Sequence, residues 1–379
     1  MTTWFSATAA LPQLVALWDL SGTAAAWLTI AVQIGFVGGA VTSAALTLSD
    51  ILPPRRMILL GAIGAAVANA ILYVADGPRL AIPLRLATGF FLAGVYPPAL
   101  KSMATWFRAG RGTGLGILVG ALTLGSAAPH LINGLGGVDW RVVVVTTSAL
   151  TMIGGIVAEV AGSEGPWPFP RARFDPRQAR LAFSGRGVRL ASLGYFGHMW
   201  ELYAMWAWVP VMIRASLGQG NQPALAEVAS FLVIGCGAIG CVVAGWVADL
   251  VGRTVVTSVA MAISGSCCLL IGFLFGGNPV WLLAVAAIWG ATVVADSAQF
   301  SACVTELGNQ QYLGTALTIQ TSIGFLLTSI SIELVPLFLK TAGWRYVFMI
   351  LAPGPLLGVI AMLRLRSLPE AVKIAHGRR

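Results

Sequence analysis

The stretch Tyr195-Phe-Gly-His198-Met-Trp200-Glu201-Leu-Tyr203 places an imidazole and a carboxylate three residues apart inside an apolar run covering 189–214. On a helix that spacing puts both groups on one face. An acid and an imidazole held together in hydrocarbon can bind and release a proton, the chemistry that coupling to a proton gradient requires. Trp200 and Tyr203 add ring faces with an indole and a hydroxyl donor, a surface for a planar solute. A structural ion pair tying this run to a neighbour is the competing reading. The theme recurs in Ala295-Asp296-Ser297-Ala-Gln299, where Asp296 and Gln299 share a helical face, and in the run 311–338, where Gln320 lies in a stripe of threonines and serines. Gln33 falls near the middle of the run 24–49, and Arg85 stands well inside the run 79–106. A cation at such depth costs several kcal/mol unless it faces a watery cavity or a partner; snorkelling to the headgroups is the alternative. His130 reads as a polar lining or core group.

The elements that must position these groups are membrane helices. The chain is 57% hydrophobic and only 10% charged, with a mean hydropathy of +0.84, whereas a soluble domain carries about 25% charge. Apolar runs near 1–17, 24–49, 55–75, 79–106, 112–136, 141–162, 189–214, 222–249, 254–276, 279–305, 311–338 and 343–365 predict twelve transmembrane helices. The first is short, contains Pro12 and has no basic residue before Arg55, so Met1 is expected to lie part-way down that helix, with a short helix that is disordered at its start as the alternative. Seventeen of the 23 basic residues fall in alternate loops, the 163–187 linker, the tail and the helix ends beside them. That bias predicts both termini on the cytoplasmic side. It also accounts for the net charge of +9 without nucleic acid. All five cysteines sit in apolar runs and read as small hydrophobes, with no disulfide framework, metal site or redox role.

The sequence repeats itself at about 200 residues. Asp50 matches Asp249, Gly112-Thr113 matches Gly314-Thr315, and Asp139-Trp140-Arg141 matches Gly343-Trp344-Arg345. Two six-helix halves in the same order and orientation are therefore expected, 1–162 and 188–366, joined by a proline- and arginine-rich linker at 163–187 and followed by a tail at 367–379. Between the two apolar runs around residue 250 the sequence reads Gly245-x-x-x-Asp249-x-x-Gly252-Arg253. Gly245 permits close helix approach, Gly252 suits the positive φ of a short turn, and Asp249 suits the positive end of a neighbouring helix. In the first half the glycines of this pattern are lost, Leu46 and Pro53-Pro54 standing in their places, while Asp50 and the following arginines remain. Asp50 is expected to meet the helix start at Arg108–Arg111, and Asp249 to cap the helix that starts after Tyr312.

The Gly-x-x-x-Asp-x-x-Gly-Arg pattern, its damaged first copy and the repeat resemble the major facilitator superfamily of secondary transporters, over the whole chain. Arg85-x-x-x-Gly89 resembles the signature of proton-linked members, and Tyr96-Pro-Pro through Trp106-Phe107 to Arg111-Gly-Thr-Gly looks like prokaryotic nitrate/nitrite- and cyanate-type porters. The paired arginines of nitrate carriers are absent, which argues against nitrate itself. The resemblance implies an all-α membrane protein that moves a small solute by alternating access. Coupling to protons is expected through Glu201, His198 and Asp296, with Asp50, Arg111, Gly245, Asp249, Gly252 and Arg253 as a conformational latch. One intramembrane cation, the acids and many aromatics favour a small organic anion or a zwitterionic or aromatic metabolite. An exporter of amphipathic cations is the alternative, and a non-transporting sensor of this fold a remote one. The expected partners are a small-molecule substrate, the lipid bilayer and protons. No enzyme motif, cofactor, metal or nucleic acid is implied, and a monomer is expected.

Overall fold

In a bilayer every backbone polar group must be satisfied within the chain, so apolar segments of this length fold as helices that turn large side chains outward to lipid and keep polar ones inside. The computed structural model shows that pattern for residues 1–48, 52–107, 110–135, 139–167, 179–217, 223–309 and 312–378, the described residues. Ile153, Val160, Leu232 and Ile239 face outward, while Gln33, Arg85, His198, Glu201 and Asp296 are buried. The helices are α1 (Ser6–Ala9), α2 (Leu11–Trp18), α3 (Gly22–Ala45), α4 (Pro54–Ile71), α5 (Pro78–Leu92), α6 (Tyr96–Ala104), α7 (Arg111–Gly134), α8 (Trp140–Ala161), α9 (Ala179–Ala182), α10 (Arg186–Leu217), α11 (Pro223–Val251), α12 (Arg253–Leu270), α13 (Pro279–Thr292), α14 (Ser297–Leu307), α15 (Leu313–Tyr346) and α16 (Pro353–Arg366).

Among the described residues, nine segments are long and apolar enough to cross a membrane. The sequence predicts twelve, and the difference has local causes. The run 1–17 is split into α1 and α2, both short. The long helix α10 carries Arg189, His198 and Glu201 and is not among the nine. The last segment, Leu313–Arg366, holds both α15 and α16, with Gly343 left-handed at φ 64° between them. Two further predicted runs are broken near their middles. α5 gives way to α6 at 93–95, where Pro97 and Pro98 start a new helix, and α13 gives way to α14 at 293–296. The breaks are separated by the same interval of about 200 residues as the sequence repeat.

Two ends of the molecule can be distinguished: the linker end, where α8 stops and α10 starts, and the opposite, far end. Among helices from the first half of the chain α3 packs on α5 and α4 on α8; from the second half, α10 packs on α16 and α15, and α11 on α13. Contact between the halves runs through α7 with α11 and α3 with α15. The first of these is backbone against backbone. A Cβ on Gly112 would lie 2.6 Å from Asp249 Oδ1 and 2.7 Å from the Gly245 carbonyl, and one on Gly116 would run into the Cys241 carbonyl. Small residues permit such approach in lipid, where packing rather than hydrophobic exclusion joins helices. After α16 the chain folds back along the linker end, with Ala371 and Ile374 buried. Glu370 there accepts the Gly187 N–H at 2.5 Å, and the Ala375 N–H is donated to Glu306 at 3.0 Å.

Candidate functional site

A cavity of about 310 Å³ lies between the halves on the linker side. Ser43 of α3 and Tyr96 and Lys101 of α6 line it from the first half, and Thr305 of α14 and Thr318 and Thr321 of α15 from the second. Among the described residues, Lys101 is the only charged one in the lining. α6, which starts anew at Pro97-Pro98 after the break that ends α5, carries it there. Toward the far end the space is closed by rings from both halves. Trp4 packs 5.2 Å from Phe36, 5.6 Å from Tyr203 and 5.4 Å from Phe325, and Phe36 and Phe325 are 4.4 Å apart. These are ordinary aromatic contacts, each adding about 0.5–1.5 kcal/mol beyond area burial. Among the described residues, this layer closes the cavity on its far side.

The acids read from the sequence gather in the second half, with partners that helical spacing did not give. His198 Nδ1 stands 2.8 Å from Asp296 Oδ1, both side chains buried. The contact lacks hydrogen-bond geometry, since Asp296 Oδ1 has no hydrogen-bond partner; His198 Nε2, on the other side of the ring, has none either. Asp296 reaches the imidazole because it sits in the break between α13 and α14. Glu201, one turn along α10, is instead held by neutral donors: Trp289 Nε1 at 2.6 Å, Cys268 Sγ at 3.0 Å and Ser264 Oγ at 2.9 Å. His198 and Glu201 thus share a helix but face different neighbours. Trp200 donates to the Ile350 carbonyl at 3.0 Å, while Tyr203 belongs to the aromatic layer.

Arg85 is fully buried in the first half, and its guanidinium is occupied. Nε donates to the Leu28 carbonyl at 3.0 Å; Nη1 donates to the Thr3 carbonyl at 2.7 Å, Asn69 Oδ1 at 3.0 Å and Ser6 Oγ at 3.2 Å; Nη2 donates to the Trp4 carbonyl. It ties the first residues of the chain to α3 and α4 and does not line the cavity, contrary to the expectation of a cavity cation. Gln33 and Gln320 are buried, with both amide atoms unpartnered. Gln299 is not grouped with Asp296. Its Oε1 accepts from Arg253 Nη1 at 2.6 Å, near the linker end.

That end holds the described residues of the expected latch, and their partners differ from those expected. Gly252 takes φ 102°, as a turn glycine should. Asp249 caps α7: its carboxylate accepts the Gly112 N–H at 3.2 Å, the Thr113 N–H at 3.0 Å and the Thr113 hydroxyl at 3.1 Å. The expected cap on α15 is therefore wrong, because α11 packs along α7 and delivers its last turn to that helix start. Arg253 makes a two-pronged pair with Glu306, at 2.8 and 3.1 Å, and lies 3.9 Å from Asp249. Asp50 and the side chain of Arg111 lie outside the described residues. Lys101, Trp289 and the aromatic layer were not read from the sequence, whereas Thr318 and Thr321 belong to the polar stripe around Gln320 that was. Lys101 had a usable signal, since it follows Tyr96-Pro-Pro on the helix that the prolines start.

No curated protein matches the chain. The family model of the Major Facilitator Superfamily matches residues 1–332, and the cavity, the paired helix breaks and the Gly245–Arg253 turn all fall within that span. The chain belongs to the Major Facilitator Superfamily and is a multi-pass membrane transporter.

Proposed function

We propose that two six-helix halves, 1–162 and 188–366, rock against each other so that the cavity opens alternately to the two sides of a bacterial inner membrane, moving a small solute with protons as the coupling ion. With both termini and the 163–187 linker cytoplasmic, the linker end faces the cytoplasm. The observation that carries this reading is a cavity walled by both halves and sealed on its far side by rings from both halves. The solute favoured is an aromatic or heterocyclic organic anion or zwitterion. Of the lining residues Tyr96 offers a ring face, Thr305, Thr318 and Thr321 offer hydroxyls, and Lys101 rather than Arg85 supplies the cation; Gln33 and Gln320, whose amides are unpartnered, and the aromatic layer lie outside the lining and would join the site only as the halves move. The buried His198–Asp296 pair, with Glu201 beside it, is the proposed coupling group, since titratable side chains within a membrane mark ion pathways.

The test is thermal unfolding of the purified protein against a metabolite panel sorted by charge, on the wild type and on Lys101→Gln. A ligand at 100 times its Kd adds about 2.7 kcal/mol to the native state. Aromatic anions should stabilise the wild type and lose that effect in the variant. Stabilisation by lipophilic cations alone, unchanged in Lys101→Gln, would overturn the anion reading and favour export of amphipathic cations.

A further inference from the structure

Beyond the cavity and the His198–Asp296 pair, one buried titratable cluster joins the two halves. His130 of α7 and Glu227 of α11 meet near the far end, with Nδ1 2.8 Å from Oε2 and the two side chains 2% and 6% exposed. Arg214 of α10 binds the other oxygen, Glu227 Oε1. His130 Nε2 is buried without a partner. The amino group of Met1 is the other titratable group beside this part of α7, and Met1 packs at Gly125, more than one turn from His130; the remaining groups are neutral or engaged elsewhere. Asn133 donates to the Ala9 carbonyl and accepts from Gln13, and Asp139 of α8 pairs with Arg141. α6 and α14 meet α7 toward the linker end and bring no charge to the cluster.

A ligand, the proton included, shifts a conformational equilibrium only through different affinities for the two states. His198 and Asp296 belong to the same half, so rocking of the halves does not of itself separate them. His130 and Glu227 belong to opposite halves, so their site exists only while the far end is closed. We infer that His130 and Glu227 form a protonation site that clasps the far end shut when the imidazole is charged, so that protons bias the transporter toward its linker-open state. The inference rests on the alternating-access reading above. Imidazole is the group that changes charge between about pH 5 and pH 8. Charged, it turns the contact into an ion pair across the halves; neutral, it keeps at most a hydrogen bond from the Nδ1–H tautomer, and the charge of Glu227 is left to Arg214.

The test uses the full chain in lipid nanodiscs, with spin labels on cysteines replacing Leu17 and Val280 at the far end, and a second pair replacing Val160 and Leu363 at the linker end. Cys236, the one native thiol that is not buried, is changed to Ser. Pulsed distance measurements then follow pH. The far-open fraction of the wild type should rise about tenfold between about pH 5 and pH 8, as a loss near 1.4 kcal/mol gives. His130→Gln should be far-open to the same degree at every pH, and His130→Lys, charged throughout, should stay far-closed. A pH response that persists in His130→Gln would overturn the inference, as would a pH-independent far end in a wild type whose linker-end pair shows two populations. If neither pair ever shows a second population, alternating access itself fails and the inference falls with it.

Discussion

Replacing Arg85 separates two physical accounts of an intramembrane cation. If the side chain were a substrate group, Arg85→Ala would leave the unliganded protein intact and abolish stabilisation by anions. The structure gives it five hydrogen bonds, to three backbone carbonyls and to Ser6 and Asn69, with no carboxylate. At the roughly 0.6 kcal/mol typical of side-chain hydrogen bonds in a membrane protein, five come to about 3 kcal/mol. Truncation also removes the packed stem, at about 0.8 kcal/mol per methylene, and leaves a cavity. Against this stands relief of a desolvated charge, so the expected net loss is about 3–5 kcal/mol. At about 2 °C per kcal/mol, the lower end for chains of a few hundred residues, the unfolding midpoint should fall by about 6–10 °C. Arg85→Lys, a point charge with three donors in place of a planar fork with five, should fall about half as far. The assay is thermal unfolding in one detergent with and without an aromatic anion that stabilises the wild type. An unchanged midpoint in Arg85→Ala together with loss of the anion effect would refute the reasoning and restore Arg85 to the substrate site.

Two further outcomes follow from the α7–α11 contact. Asp249→Ala removes the cap on the first turn of α7, a loss of about 1–2 kcal/mol, so amide exchange at Gly112 and Thr113 should quicken about tenfold or more; unchanged exchange would mean that the cap is not formed in the membrane. Gly116→Leu drives a side chain into the Cys241 carbonyl and should prevent recovery of monodisperse protein, whereas Gly154→Leu, with nothing within 4 Å of its Cβ position, should be tolerated. Equal behaviour of the two variants would show that the close approach is not needed.

Much of the fold was legible because its causes are local. An apolar run ending in Asp249-Leu-Val-Gly252-Arg253 states a tight turn between membrane helices, and Pro97-Pro98 states a break. Partners across the bundle were not legible. Asp249 announces a capping carboxylate, but which helix start it reaches depends on glycines on two helices that let α11 lie along α7. The i, i+3 spacing of His198 and Glu201 gave their shared helix, yet Asp296 reaches the imidazole only through the break at 293–296, and Glu201 is claimed by Ser264, Cys268 and Trp289. The depth of Arg85 was plain from sequence, whereas the carbonyls that occupy it come from chain ends and turns with no side-chain signature. His130 looked like an isolated polar group because Glu227 lies 97 residues away in sequence.

The central claim is that one cavity serves both sides of the membrane in turn. Thr321 lines its inner part, so a cysteine there, in a chain whose Cys236 is Ser and which is held in sealed vesicles, can be offered an impermeant thiol reagent from either side. Alternating access requires reaction from the linker side and, in a separate population, from the far side, with conditions that raise one rate lowering the other. Reaction from a single side under every condition, or from both sides with rates that rise together, would contradict it.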